Sequence, residues 1–285
     1  MIFIKYINLK CHLERHLNIY TEEIKLTKLK VSVLVANYNN QRYIKECINS
    51  IKRQSYNNIE IIFHDDLSSD NSIKIINKYS NLKIIRNKKK GKHGSFNQMN
   101  AYKRAFKKSS GDIIFFLDSD DLFKKNKIKI VVNEFLNNKR ISSIFDLPIH
   151  MYKNKNKIIR NKNKIIPSFW PYIPPQSCIA IKRNDFKKMI NKIDNNFFPD
   201  IWMDFRMAIY LKYVKKKFFI LEKNLTIYRQ SSEMISSKFI FLSLNWWKRR
   251  AQAHAYVRYF FLKNKIKYKK NFDYFLTRFI NFFIK

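Results

Sequence analysis

Short apolar runs alternate with amphipathic stretches from residue 31 onward, which predicts an α/β fold with a mostly parallel sheet flanked by helices on both faces. The apolar runs are dense in β-branched and aromatic residues, as strands buried on both sides must be. A polar, turn-forming cluster follows the first, second and fourth of them, where the chain leaves the core. A basic, aromatic segment at the C-terminal side predicts a helical extension.

Val31 to Ala36 (VSVLVA) reads as a buried strand ending at NYNN. From Arg42 to Arg53, Ile44, Cys47, Ile48 and Ile51 recur at the spacing of a helix packed on a sheet. Ile59 to His64 is a second strand, and Ser69 or Asp70 caps a second helix running to about Tyr79. Leu82 to Arg86 is a third strand, Ser95 to Lys107 a third helix, and Ile113 to Leu117 (IIFFL) a fourth strand before the acidic DSDD. An amphipathic stretch covers Lys127 to Leu136.

The second half is less regular. Ile141 to Leu147 predicts a strand, Lys153 to Lys164 a loop or hairpin tip, and Ile173 to Ile181 a strand after a rigid Pro-Pro turn. Asp204 to Tyr213 reads as helix, Phe218 to Leu221 as strand, and Phe239 to Leu262 as a long helix.

With 285 residues, 46% hydrophobic and 16% aromatic, the chain can bury a large core. Lys and Arg number 58 against 21 Asp and Glu, a formal charge of +37 that suits an anionic partner. The Lys, Asn and Ile bias also fits AT-rich coding, so charge alone is weak support for a nucleic-acid partner, and none is expected. Cys11, Cys47 and Cys178 are too few and too scattered for a disulfide framework or a cysteine zinc site, which suggests a reducing cytoplasm. No run approaches the ~20 apolar residues of a membrane span. The opening MIFIKYINLK has Lys5 inside too short an apolar run for a signal peptide.

In an open parallel sheet, ligands sit at the carboxyl ends of the strands. Asn37, Tyr38 and Asn39, then Asp65 and Asp66, then Asp118, Asp120 and Asp121 all occupy that edge. Any one of these acids could simply cap the next helix. Three carboxylates within DSDD repel one another unless a cation sits among them, which points to a divalent metal.

VSVLVANYNNQRYIKECINSIKRQSYNNIEIIFHDDLSSDNS followed by GDIIFFLDSDD resembles the N-terminal half of family 2 glycosyltransferases. The likeness is close from Val31 to about Leu122 and loose to about Arg229. It implies the GT-A fold, a Rossmann-like sheet, and inverting transfer of a sugar from a nucleotide-diphosphate donor with Mg or Mn on the diphosphate. It further implies an N-terminal extension (1–30), a catalytic domain (31–235, divided at 122 into nucleotide and acceptor halves) and a basic aromatic tail (236–285). By the same resemblance Ala36 and Tyr38 contact uridine, with Asn37 and Asn39 beside them, and Asp66 accepts a hydrogen bond from the base. Asp118 or Asp120 serves ribose and metal, next to Ser119, and Asp120 or Asp121 is the direct metal ligand. The loop carrying Gly91, His93, Gly94 and Asn97 lies over the sugar or diphosphate, and Arg229 joins the donor site.

Family members place the acceptor's general base in an acidic pair opening a helix. Here PDIWMDFRMAIYL keeps only Asp204, with Met203 in the other position; Asp200 is the reserve, and Arg206 is either a diphosphate partner or structural. Where the family often has a metal-completing His after Tyr-Arg, Tyr228 and Arg229 are followed by Gln230 and Ser231, leaving His150 or His254 as substitutes. The missing QxxRW motif and membrane helices imply addition of one or a few sugars to a bacterial surface glycan or a lipid-linked glycan precursor. The tail mixes Trp and Tyr with Lys and Arg, as a peripheral contact with anionic membrane at the cytoplasmic face would, or as a helix packed on the domain would. The alternatives are a catalytically impaired member acting as a binding subunit and, on charge alone, a basic nucleic-acid-binding protein.

Overall fold

The computed structural model describes residues 29–89, 91, 94–152, 155–157, 174–193, 197–215, 217–230 and 239–284. In the first half β1 (Val31–Asn37), β2 (Ile59–Asp65), β3 (Leu82–Arg86) and β4 (Ile113–Asp118) pair in parallel in the order β3-β2-β1-β4. Between them run α1 (Ile44–Lys52), α2 (Ser72–Ile76) and α3 (Gly94–Lys108). Parallel pairing requires such crossovers, and they cover a sheet whose β1 is buried at every position.

Beyond β4 the sheet becomes mixed. β5 (Leu122–Phe123), α4 (Lys127–Asn137), β6 (Ser143–Tyr152), β7 (Lys155–Lys157) and β8 (Ile179–Lys182) follow, then α5 (Arg183–Ile193), α6 (Met203–Tyr210) and β9 (Phe218–Gln230). Among the described residues the full order is β3-β2-β1-β4-β8-β6-β9-β5, with β7 paired to β6. β8 is antiparallel to both β4 and β6, whereas β6 and β9 are parallel with register shifts between Asp146, Leu147 and Pro148. A proline has no amide to give a ladder, so the irregularity falls where the sequence demands it.

Alternate strand residues feed two cores. Leu34, Ile62, Ile114 and Phe116 pack with α3, α5, α6 and one face of α7 (Leu244–Lys263), while Val33, Val35, Phe63, Phe115 and Leu117 pack with α1, α2 and α4. Tyr256, Val257, Phe260 and Phe261 of α7 lie in the first of these cores. Gly111, just before β4, is required by proximity: a Cβ there would stand 2.5 Å from the Ser32 backbone nitrogen.

Several boundaries differ from the sequence expectations. α2 begins at Ser72 and ends at Ile76, although Asp70 still accepts from the Ser72 amide at 2.9 Å. β9 extends nine residues past the expected Leu221, to Gln230, because Glu222, Lys223 and Asn224 interrupt its apolar run. α7 starts at Leu244, where the Ser243 hydroxyl caps the Trp246 amide at 3.2 Å. α5 and β5 complete the described elements without having been expected, and α8 (Phe272–Phe283) lies within the expected helical tail. Of the Lys153 to Lys164 run only 155–157 are described, as β7 in a hairpin with β6; residues 1–28 lie outside the described part.

Candidate active site

The carboxyl ends of β1, β2 and β4 form one edge, because their parallel register aligns Asn37 with Asp65 and Ala36 with Asp118. Asn37 is buried behind that edge, and its Nδ2 donates to Asp65 Oδ1 at 2.8 Å and to Ser68 Oγ at 3.1 Å. Asp65 in turn accepts from the Ser68 amide at 2.9 Å. Asn39 adopts φ 53, a left-handed conformation that asparagine tolerates, and its Oδ1 accepts from the Ser69 amide at 2.8 Å. Both asparagines therefore shape the loop, and between them Tyr38 stands 40% exposed. Asp66 is buried, accepts from Asn87 Nδ2 at 2.5 Å, and is also hydrogen-bonded by Asn97; burial raises its carboxyl above the usual range. Asn97 also donates to the Gly91 carbonyl at 3.3 Å, and a Cβ on Gly91 would collide with it. His93 lies outside the described residues.

The DSDD turn sorts its three acids into different roles. Asp118 Oδ1 accepts from Gln98 Nε2 and from the Tyr102 hydroxyl, both at 2.7 Å, and burial raises its carboxyl. Ser119 is buried, its amide bound to the Ala36 carbonyl at 3.0 Å and its hydroxyl accepting from Asn40 Nδ2 at 2.8 Å. Asp121 is buried with both oxygens occupied: Ser177 Oγ donates to Oδ2 at 2.5 Å and the Arg229 amide to Oδ1 at 2.9 Å. Asp120 is partly exposed, and its carboxylate has its own backbone amide as partner. Burial, then the charge of Asp118, push it up to about 7, against a smaller opposing pull from Arg229.

Behind the turn lies a buried ion pair. Lys127 Nζ, with no exposure, reaches Asp146 Oδ2, the Ser177 carbonyl and Thr226 Oγ1, each at 2.6 Å. Ser177 thus connects this pair to both Asp121 and the Asp118 amide, which donates to Ser177 Oγ at 3.0 Å. Arg229 braces the same turn from outside: Nη1 donates to the Asp120 carbonyl at 3.0 Å, the head pairs with Glu46, and the guanidinium lies 4.7 Å over the Tyr43 ring.

The second half brings α6 to this edge. Asp204 sits in the first turn of α6, accepts from the Phe205 amide at 2.6 Å, and is pushed up to about 6 chiefly by burial. It lies within electrostatic reach of Asp118 and of Arg249, and the Tyr228 hydroxyl is raised by burial and by Asp121, Asp118, Asp120 and Asp204 together. Arg249, on α7, has its guanidinium 3.4 Å over Trp202 and 4.6 Å over Phe239, and burial lowers it to about 10. Asp200 faces Arg249 too and exchanges hydrogen bonds with the Gln252 side chain, at 2.7 and 3.3 Å.

Of the other sequence candidates, Arg206 is fully buried and donates to the carbonyls of Ile201, Ile193 and Phe198 at 3.0, 3.0 and 2.6 Å, a structural clamp. His254 is paired with Asp273 at 2.9 Å between α7 and α8, and His150 packs edge-on to Tyr228. Among the described residues no three His, Cys, Asp or Glu side chains are grouped around a common ion position. Arg249 and Lys127 were not found from sequence: Arg249 looks like its neighbour Arg250 until Trp202 and Phe239 fold around it.

Residues 32–210, more than half of the chain, match the model of glycosyl transferase family 2. The chain belongs to this family. Among family 2 relatives, an uncharacterised glycosyltransferase of Nostoc is 29% identical over 70% of this chain and 65% of its own length. WfgD of Escherichia coli, a UDP-Glc:alpha-D-GlcNAc-diphosphoundecaprenol beta-1,3-glucosyltransferase, is 34% identical over 49% of this chain and 50% of its own. The chain thus spans about half to two thirds of the length of these curated relatives. The crystal structure of residues 1–349 of Staphylococcus aureus TarS with UDP-GlcNAc aligns with a TM-score of 0.57 at 20% identity, over 80% of this chain and 66% of that one. That likeness is one of fold, the GT-A fold of these glycosyltransferases.

Proposed function

We propose that this family 2 protein transfers a sugar, with inversion, from a UDP-sugar to a hydroxyl of a bacterial glycan or a lipid-linked glycan precursor. The observation that carries the reading is the convergence of two under-satisfied carboxylates, Asp120 from the β4 turn and Asp204 from α6, on the edge that also presents Tyr38 and Asp66. Relatives add support for the donor and acceptor classes: TarS is solved with UDP and with UDP-GlcNAc, and WfgD is named for a diphosphoundecaprenol-linked acceptor.

The roles follow from the chemistry each group has left to offer. Tyr38, 40% exposed on that edge, offers its ring to the base, and Asp66 retains acceptor capacity beyond Asn87 and Asn97 for a donor on the base. Asp204 takes the proton of the acceptor hydroxyl as its oxygen bonds to the anomeric carbon; the bond from that carbon to the phosphate breaks with its electron pair on the leaving diphosphate. A carboxyl held near 6 is ionised at neutral pH yet basic enough to share that proton. Arg249, unpaired with any carboxylate by direct contact among the described residues and fixed between two rings, offers a cation to an anionic group of donor or acceptor.

The donor set fits a hard cation such as Mg or Mn. Asp120 is a carboxylate with spare lone pairs beside a second carboxylate, whereas Asp121 has both oxygens engaged by Ser177 and Arg229. Asp120 is therefore the proposed direct ligand, with Asp118, whose charge acts on it, as the second carboxylate. Such an ion supplies neutralising charge to the departing diphosphate.

The test is a panel of nucleotide sugars offered to purified protein, read by donor hydrolysis or transfer and by thermal stabilisation. A UDP-sugar that is turned over by the wild type and not by Asp204→Asn supports the proposal. Binding without turnover under all conditions would favour the impaired, binding-subunit reading.

A further inference from the structure

We propose that α8 and the lysine-rich segment before it form an in-plane docking surface for an anionic lipid bilayer, separate from the sugar-transfer site. The starting observation is that α8 is packed inside out. Its polar residues Asp273, Thr277 and Asn281, at i, i+4 and i+8, face α7: Asp273 accepts from Arg250 at 2.6 and 2.8 Å and meets His254 at 2.9 Å. Asn281 Nδ2 donates to the Trp247 carbonyl at 3.0 Å, and Thr277 is 1% exposed. The opposite stripe, Phe272, Phe275, Leu276, Phe279, Phe282 and Phe283, points outward, with Phe272 80%, Phe279 64% and Phe282 70% exposed. A helix of a water-soluble surface buries its apolar stripe and solvates its polar one.

The magnitude rules out an ordinary scatter of surface apolar residues. Taking about 200 Å² for a whole phenylalanine side chain, the ridge exposes on the order of 700 Å², above the roughly 300–600 Å² of the largest patch on a typical monomer. A groove of about 990 Å³ between α7 and α8 continues the patch, lined by Leu262, Phe275, Phe279 and Phe282 with Arg258 and Arg278 at its rim.

Charge identifies the partner. Lys263, Lys265, Lys267, Lys269, Lys270, Arg258 and Arg278 are all exposed around this ridge. Asp273 is the only acid from residue 239 to 285 and is already paired with Arg250 and His254. An apolar ridge bordered by unopposed cations matches the boundary between acyl chains and anionic headgroups. A second copy of the same +37 chain would instead bring like charge to like charge. Twelve residues of helix reach only about 18 Å, too short to cross a bilayer, so the helix lies in the interface.

The experiment is flotation of the full chain with vesicles of phosphatidylcholine alone or mixed with phosphatidylglycerol, without donor or acceptor, so that its outcome is independent of transfer. The wild type is expected to float with the anionic vesicles and not with the neutral ones. Phe279→Asp/Phe282→Asp, at exposed positions that leave the core intact, should abolish flotation. Lys267→Gln/Lys269→Gln/Lys270→Gln should weaken it on the order of a hundredfold at low salt, about fivefold per charge. Three results would overturn the proposal: no flotation of the wild type, flotation unaffected by the phenylalanine pair, or a wild-type dimer in sedimentation that the same pair dissociates.

Discussion

Two acids at opposite edges of the same parallel sheet show what separates a structural carboxylate from one left for a ligand. At the amino edge, Glu60 accepts from Ser32 Oγ at 2.6 Å, Lys83 Nζ at 2.9 Å, the Ser110 amide at 2.5 Å and the Gly111 amide at 3.1 Å. Burial alone would raise it, but these bonds, led by Ser32 and Ser110, outweigh burial and bring it down to about 2. At the carboxyl edge, Asp120 is partly buried without comparable donors and beside another acid, and stands at about 7. The fold surrounds Glu60 with donors at one end and leaves Asp120 with few at the other. An unmatched buried charge costs stability, so it persists where a ligand supplies the missing partner.

The largest effect expected from this contrast is on turnover. Asp204→Asn should lower transfer by 10²–10⁴, about 3–5 kcal/mol at the barrier, with donor affinity nearly unchanged in a titration. Glu60→Gln should leave turnover per folded molecule at the wild-type level. Equal turnover in the two variants would erase the distinction between the edges.

Next in size is the support behind the turn. Lys127→Met leaves Asp146 buried without its cation and should cost about 3–5 kcal/mol in urea unfolding. Adding Asp146→Leu should restore most of it, since a matched apolar pair removes the stranded charge. Asp121→Asn is expected to cost about 1–3 kcal/mol of stability by disturbing the bonds from Ser177 and Arg229. Asp120→Asn should not destabilise, while still reducing transfer. On the nucleotide side, Asp66→Ala should weaken UDP binding by about 1.5–3 kcal/mol, measured by calorimetry.

The smallest effect is a pH dependence. Because the folded protein holds Asp204 protonated up to about 6, it binds more protons than the unfolded chain between roughly pH 4 and 6, and this group's contribution lowers stability as pH rises through that window. Asp204→Asn should therefore melt no lower than wild type at pH 7 and lose the shared slope below it. A helix-start acid favoured by the dipole would show the reverse, a loss of about 1 kcal/mol at pH 7. In the wild type, transfer should rise with pH through about 6 as the base ionises.

The parallel half was readable because VSVLVA and IIFFL are buried on both faces, with Ser32 the one polar residue among them. The stripe Phe186, Met189, Ile190 and Ile193 is equally regular, so α5 too is legible in RNDFKKMINKI. β9 was shortened because its exposed positions break the apolar run. At the site, the order of the acids placed them on one edge, but the separation of Asp120 from Asp121 depends on Ser177 and Arg229, more than fifty residues away. Likewise Arg249 differs from Arg250 only through Trp202 and Phe239 above it and Asp273 beside its neighbour. Such distinctions are made by tertiary contacts and have no local pattern.

The central claim, that the open carboxylates serve a nucleotide-sugar and its counter-ion, is tested most directly by thermal unfolding with UDP-sugars in Mn²⁺ or in chelator, for wild type and Asp120→Asn. At about a hundredfold excess over Kd the wild type should gain about 2.7 kcal/mol with the ion, with most of that gain lost in chelator or in the variant. Stabilisation of the same size in chelator, or in Asp120→Asn, would contradict the claim.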